Sequence, residues 1–503
     1  MNRFKAYFIF VPLALFSLLC QRTNAETITA ASCSQEAVQA AVDSAQNGDT
    51  VRIPACSDTW TSPVRWTNKN IAVIGAGIDK TDIATGGGQS AEAFSITMTT
   101  GSDGYSSAGT PVKKVSWRLS GMTISGTTGA DNPVVYTTST GYDHPVQGWR
   151  IDHIKFDFPS TAPNDIAVLG ISWGLIDHCQ FLGKGIIGIE IRAYYDNEYR
   201  AGGQPYLGNT TWAMPLHLGS DEAVYVEDCT FNYNGVSSAV DIGMGGGCVF
   251  RHNDVTGTAF FAHGTESGLL GRGGKKFEIY DNTFKYNGDP TDYPVFLAET
   301  STGVIFNNTI SGYEGWGEGF IAEEGRAEGL QNAPATGYYG DCTGNSSGCP
   351  KGCVDQADGD IEASGWPCLD QLGRGPAVAT NWPSLVVTGE LLNTLHQPQP
   401  SVPIITWNNG PQATCARGNS CDGSIGIKLG SGSPVNTNYT LANYISASPH
   451  KNGDVDYCNG GTRMPRKCGN YTNTYKPFRY PYPWPLSSSQ STFPAPTGLH
   501  LRG

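Results

Sequence analysis

Between residues 248 and 284 the chain carries a glycine-rich stretch with His263, Glu266, Arg272, Lys275 and Lys276. These residue types suit removal of a proton from a carbon beside a carboxylate. That reaction needs a base, a cation to neutralise the carboxylate, and an acid for the departing oxygen. His263 fits the base, because an imidazole titrates near neutrality. Arg272 fits the carboxylate, because a guanidinium binds one bidentately. Lys275 fits the acid, as does a tyrosine such as Tyr194 or Tyr195. A hydrolytic route would instead use two carboxylates about 5–10 Å apart, for which Asp241 and Glu266 are the pair. A bland reading stands beside both: His263 fills a bend, and Arg272 with Gly273 and Gly274 forms a solvated turn.

The stretch lies between two short apolar-alternating segments, 249–255 and 277–284, each with an Asn at the same place. They belong to a longer series: RLSGMTI (118–124), RIDHIKF (150–156), LIDHCQF (175–181), VEDCTF (226–231), FRHNDV (250–255), IYDNTF (279–284) and IFNNTI (305–310). One column holds His153, His178, Asp228, His252, Asp281 and Asn307, spaced 25, 50, 24, 29 and 26 residues apart. A period near 25 with short β-rich segments predicts a parallel β-helix, three strands per turn. The column reads as structural. The next column holds Cys179, Cys229, Asn253, Asn282 and Asn308. Its asparagines predict a ladder of amides bonding coil to coil, with Cys179 and Cys229 one above the other.

The doubled interval contains an insertion, 193–212, rich in aromatics and charges. Loops on a rigid solenoid commonly build its binding face. Tyr194, Tyr195, Tyr199 and Trp212 in this insertion, with Tyr313 and Trp316 in YEGWGEGF, are rings that suit stacking on sugar faces. Packing of the loops onto the coils accounts for them equally well. At the other end, Ser32 and Gln35 fit a capping box. Val38, Ala41, Val42 and Ala45 then share one helical face, predicting a helix that closes the stack. Cys33 and Cys56 bracket this unit, an expected disulfide.

In the 503-residue chain only 15% of residues are charged, while Gly numbers 64, a balance suited to strands and turns. Residues 1–25 read as a secretory leader: Arg3 and Lys5, an apolar run, then Thr23-Asn24-Ala25. No later stretch is long and apolar enough to span a bilayer. Losing Arg3, Lys5 and Arg22 takes the net charge from −13 to −16, which argues against nucleic acid as a partner. Removing Cys20 leaves thirteen of fourteen cysteines, an odd number for an oxidising compartment. Beyond about 330 the period fails. Cys342, Cys349, Cys353 and Cys368 suit two disulfides better than zinc. DQADGDIE (355–362) is oxygen-rich enough for Ca²⁺ but lacks EF-hand spacing. Two further near pairs are Cys415/Cys421 and Cys458/Cys468, and 481–503 is a Pro/Ser-rich tail.

CSQEAVQAAVDSAQNGDTVRIPA followed by IAVIGAG resembles the entry of the pectate-lyase-like right-handed β-helix superfamily. VFRHNDV…HG…RG…FEIYDNTF, GWPCLDQLGRG, ITWNN and PYPWPL are similar to a subgroup of secreted bacterial β-helix proteins. The resemblance covers most of 26–490 and implies fold more than activity, since the superfamily spans lyases, hydrolases, epimerases and tailspikes. WGLIDHCQF (173–181) echoes the WIDH segment of family 1 pectate lyases, with Trp173 displaced by two residues. The arginine signature that should follow is not recognisable, and the galacturonan hydrolases' paired-aspartate signature is absent. The expectation is therefore an all-β, right-handed parallel β-helix over 26–330 with an N-terminal cap helix. An irregular, disulfide-bearing region with scattered strands follows at 331–480, then the tail at 481–503. The leading functional expectation is a secreted or cell-surface protein that binds and cleaves an acidic polysaccharide by β-elimination. The rival is a self-associating, non-enzymatic surface or matrix protein.

Overall fold

The computed structural model describes residues 25–86, 92–126, 135–140, 144–162, 164–185, 187–194, 207–233, 238–264, 272–285, 295–298, 301–311, 321–323, 373–376, 378, 400, 402–410, 427–429, 457–459, 462–468 and 471–485. Each turn of the chain visits three sheets in succession. Sheet I stacks Ser172–Asp177, Val224–Glu227, Gly247–Arg251, Lys276–Tyr280 and Thr302–Phe306 in parallel. Sheet II stacks Gln180–Gly185, Thr230–Tyr233, Asp254–Thr256, Thr283–Lys285 and Thr309–Ser311. Sheet III runs from Val64–Thr67 through Ile187–Arg192, Ser238–Gly243 and Phe260–Ala262 to Ile427–Leu429. This is the expected parallel β-helix.

Alternation drives the closure. In sheet I, Ile176, Val226, Phe250, Ile279 and Ile305 lie in register and point inward, each fully buried. In sheet II the rings of Phe156, Phe181 and Phe231 stack nearly parallel, with centroids 5.1 and 4.5 Å apart. Burying one such side chain contributes roughly 1.5–3 kcal/mol. Identical rungs repeat that gain on every turn.

The polar column read from the sequence is the bend between sheets I and II. His153, His178, Asp228, His252, Asp281, Asn307 and Asn408 all have φ between 50° and 57°. Left-handed backbone is tolerated by Asn, Asp and His far better than by β-branched residues, so the corner selects these types. The following position forms the amide ladder. Asn253, Asn282, Asn308 and Asn409 each accept on Oδ1 from the coil below, and each Nδ2 donates to a carbonyl there. Cys229 and Cys179 continue the same column, their thiols directed at Ile176 O and Ile151 O. Both are buried free thiols, as is Cys248.

Replacing Asn282 by Ala removes two bonds to Asn253 and those to Phe250 O and Asn308. It strands a buried amide N–H and a buried carbonyl. The expected loss is about 3 kcal/mol, read as a lowered chemical-denaturation midpoint. A loss under about 1 kcal/mol would show that the ladder is only ornamental to the stack.

The cap helix is Gln35–Ser44, with Val38, Ala41 and Val42 buried against the first coil. Its N-cap is Ser34, whose Oγ accepts from Ala37 N. The Ser32 box is therefore displaced, and the Gln35 amide donates to Pro63 O. The Cys33–Cys56 disulfide is present. So is Cys458–Cys468, while Cys342, Cys349, Cys353, Cys368, Cys415 and Cys421 lie outside the described residues, as does 355–362. Coils also continue past the expected limit at 330. Ile404–Trp407 pairs in parallel with Thr302–Phe306, and Tyr457–Asn459 with Ile404–Trp407. Ile427–Leu429 pairs with Ile321–Glu323.

Residues 471–485 form a strap over the outer face of sheet I. Tyr475 lies against Phe306 and Trp407, Phe478 and Tyr482 against Tyr225. Farther back along the stack, Trp484 donates to Gly148 O and lies beside the guanidinium groups of Arg118 and Arg150. The beginning of the expected tail is thus a built part of the fold.

Candidate functional site

Two strands of sheet III present the charged groups. Ile187–Arg192 buries Ile189 and Ile191 inward, so Glu190 and Arg192 face outward. In the next coil Asp241 is in register with Glu190, and Gly243 with Arg192. The missing side chain at Gly243 is what lets Arg192 fold across the strand: a Cβ there would lie 2.7 Å from its Nη1. Arg192 Nη1 and Nη2 each donate to Asp241 at 3.1 Å, and Glu190 is 3.2 Å from Nη2. His263 follows Phe260–Ala262 and reaches the same carboxylate through Nδ1, at 3.1 Å from Oδ2. Its ring rests against Phe261, centroids 4.6 Å apart.

Asp241 is 1% exposed. Burial alone would raise its pKa, but the Arg192 guanidinium and His263 outweigh burial and hold it well below the usual carboxylate range. An ionised carboxylate can only accept, so a neutral His263 carries its proton on Nδ1 and donates it in a hydrogen bond to Asp241, which leaves Nε2 as the basic nitrogen. Nε2 is shielded from solvent. Asp241 and His263 were named from the sequence for two different reactions. The structure brings them together as one unit.

The return leg from the insertion, 207–222 (the end of 193–212 and the ten residues after it), builds the adjoining wall. Arg272 N donates to Leu207 O, and its guanidinium sits 4.9 Å from the Trp212 ring centroid. Trp212 is fully buried and donates through Nε1 to Gly273 O. Its expected role in sugar stacking does not hold, because no ring face is accessible. Lys275 corrects a second expectation. Its Nζ donates to Thr211 O, Met214 O and Pro215 O at 2.8–2.9 Å. Burial, with Lys276 beside it, presses its pKa well down. Three carbonyl acceptors nonetheless demand three N–H donors, which only the ammonium has. Lys275 is a buried brace for the wall and no acid for a leaving group. Lys276 extends it, donating to His217 O at 3.1 Å.

Tyr194 is half-buried, two residues beyond Arg192. Glu266, Tyr195, Tyr199, Tyr313 and Trp316 lie outside the described residues. His153 and His178 are far more exposed at the sheet I–II corner, stacked on one another and each bonded to the preceding aspartate. Sequence reasoning missed Arg192, Glu190 and Gly243. The alternation in IGIEIR, which turns both charges outward, was the available signal. Among the described residues no three His, Cys, Asp or Glu side chains converge as a metal-holding group. Nor is any helix there long and apolar enough to cross a membrane.

Residues 216–326 match the family model described as right handed beta helix region. No curated protein matches the sequence. Among solved structures the chain is similar to an alginate lyase from Paenibacillus sp. str. FPU-7. That likeness has 13% identity and a TM-score of 0.35, over 57% of this chain and 87% of that one. A family 28 exopolygalacturonase of Yersinia enterocolitica gives 11% identity and a TM-score of 0.28, over 60% and 66% of the two chains. A PL6 family alginate lyase gives 13% and 0.29, over 59% and 40%. Likenesses at this level concern the fold alone.

Proposed function

We propose that this chain, a right-handed parallel β-helix of the pectate-lyase-like kind, is an extracellular carbohydrate-active protein that binds and cleaves an acidic polysaccharide by β-elimination. One observation carries the reading: Asp241 is clamped between Arg192 and His263 on the outward face of sheet III. In the reaction, Nε2 of His263 takes the C5 proton of a uronate. The C–H electrons form the C4–C5 double bond as the C4–O bond breaks, and an acid such as Tyr194 protonates the leaving oxygen. Asp241 fixes the His263 tautomer and stabilises the imidazolium that forms, a division of labour general to carboxylate–histidine pairs. Arg272 supplies positive charge for the substrate carboxylate within an otherwise acidic protein, since Arg192 is engaged by Asp241 and Glu190. Secretion follows removal of residues 1–25.

A second reading, a non-enzymatic surface or matrix protein that self-associates, is favoured by a different observation. Arg272, Trp212 and Lys275 are buried and engaged in packing the wall, and Nε2 is shielded. Ultraviolet absorbance of unsaturated product separates the two, measured on a panel of polyuronates with and without Ca²⁺. The lyase reading expects absorbance to rise, and His263→Ala to slow it by roughly 10²–10⁴-fold. A flat trace on every polyuronate, with no new reducing ends on neutral glycans, would move the assignment to the structural protein.

A further inference from the structure

The strap and the wall of the candidate site share one buried side chain. Glu278 points outward from sheet I and is 1% exposed. Its Oε1 accepts from Gly219 N, and its Oε2 accepts from the Tyr475 hydroxyl, both at 2.7 Å. Gly219 belongs to the return leg that follows the insertion, and Tyr475 to the strap. The two elements also touch directly. Gly219 has φ +72°, and a Cβ on it would lie 1.9 Å from Lys476 O, so the strap backbone crosses right over it. The neighbouring strap contacts are equally specific. Arg251 donates to Phe478 O and Arg479 O, and Glu227 accepts from Tyr482 N. Sheet I therefore reads the backbone of an extended peptide.

From Glu278 the contacts run without a gap to the candidate site. Lys276 holds His217 O, and Lys275 holds the carbonyls of residues 211, 214 and 215. Trp212 binds Gly273 O, and Gly274 N donates to His263 O. Every member is a strand end or a hydrogen bond at least partly buried.

We propose that the C-terminal strap 471–485 sets the geometry of the candidate site from another face of the coil, with Glu278 as the joint that passes strap occupancy to the wall. The proposal rests on the site described above but on no reaction there. A segment laid over the face of sheet I, held by side chains and outside the parallel strand ladders, opens more readily than the coils beneath it, as local unfolding equilibria generally show. Release of Tyr475 leaves Glu278 with half of its partners. The return leg, which the same carboxylate pins, then loosens toward Trp212 and Arg272.

Backbone hydrogen exchange on the full-length chain tests this without any activity assay. A protease recognition sequence placed between Cys468 and Tyr471 lets the strap be cut after folding is complete. The expected result is faster exchange in 207–219 and 272–276 by roughly tenfold, the order set by losing a charged hydrogen bond. The coils of residues 50–86, which the strap does not touch, should be unchanged. Tyr475→Phe keeps the ring and deletes only the hydroxyl, and it should speed exchange at Gly219 in the intact chain. The proposal is overturned if cutting raises exchange only in 471–485 and sheet I, or if Tyr475→Phe leaves Gly219 unaltered. Either result would leave the assignment of His263 untouched. A negative lyase assay would likewise leave the strap coupling standing.

Discussion

Replacing Arg251 by Met should lower the unfolding free energy by about 3–5 kcal/mol, the usual cost of removing one partner of a buried ion pair. Arg251 is fully buried and all its donors are engaged. Nε and Nη2 reach Glu227, and Nη1 reaches the Tyr280 hydroxyl and Phe478 O. Nη2 also donates to Arg479 O. Burial weighs on both partners. In Arg251 it is outweighed by Tyr280 and Glu227, so its pKa rises, whereas in Glu227 burial prevails over Arg251 and that pKa also rises. The two shifts disagree about how well the pair is compensated. The complete set of five donor contacts favours the guanidinium's account. Methionine would leave the Glu227 carboxylate with Tyr482 N alone in a dry site. Adding Glu227→Leu should recover most of the loss, because an apolar pair can replace a buried ion pair at little cost. Denaturation of the two single variants and the double variant closes the cycle. Equal loss in the single and double variants would mean that strap packing, not charge, dominates.

A second large effect is expected inside the coil. Asp165 is buried in the core, where Tyr233 OH donates to one carboxyl oxygen, and Oδ1 has no hydrogen-bond partner. Burial pushes its pKa up to about 8, only partly offset by Tyr233. Unfolded, it would titrate near pH 4. The protonated acid is thus the folded form. Its stabilisation is full below pH 4 and is lost as pH rises toward 8, a span on the order of 5 kcal/mol. Asn keeps an oxygen for Tyr233 and cannot ionise. Asp165→Asn should therefore match the parent near pH 4 and exceed it by several kcal/mol at pH 8. Denaturation midpoints at both pH values decide it. A gap that does not widen with pH would exonerate this carboxyl.

The fold was legible because its corner imposes residue types. A left-handed corner admits His, Asp and Asn, and the next position asks for an amide, so both columns surface in the sequence. Where spacing stretches, the signal fades. Asn307 and Asn408 are bonded neighbours 101 residues apart, too far for a period of 25 to connect, so the late coils read in the sequence only as scattered strands. The helix cap slipped by two because several side chains near Cys33 can accept an amide. For the site, residue chemistry singles out Asp241 and His263 but not their pairing, which depends on stacking register. Arg192 lies 49 residues before Asp241 and needs an empty Cβ at Gly243 to reach it. Lys275 and Trp212 stay ambiguous in the sequence for one reason. Only a folded wall shows that its carbonyls need a cation and that an indole is enclosed. The strap's prolines predict an extended backbone correctly, yet say nothing about the surface it lies on.

The direction of the strap bears on how the molecule would respond to load. Tyr475 lies on the late coils and Trp484 reaches back to Gly148 and Arg118. The strap, 471–485, is thus fastened along the axis of the stack to rungs laid down much earlier. Tension on the C-terminus would meet these rungs in shear, many hydrogen bonds and rings resisting at once. The final coils would be spared from peeling one at a time. A thread sewn back across its own spool would resist unwinding in the same way.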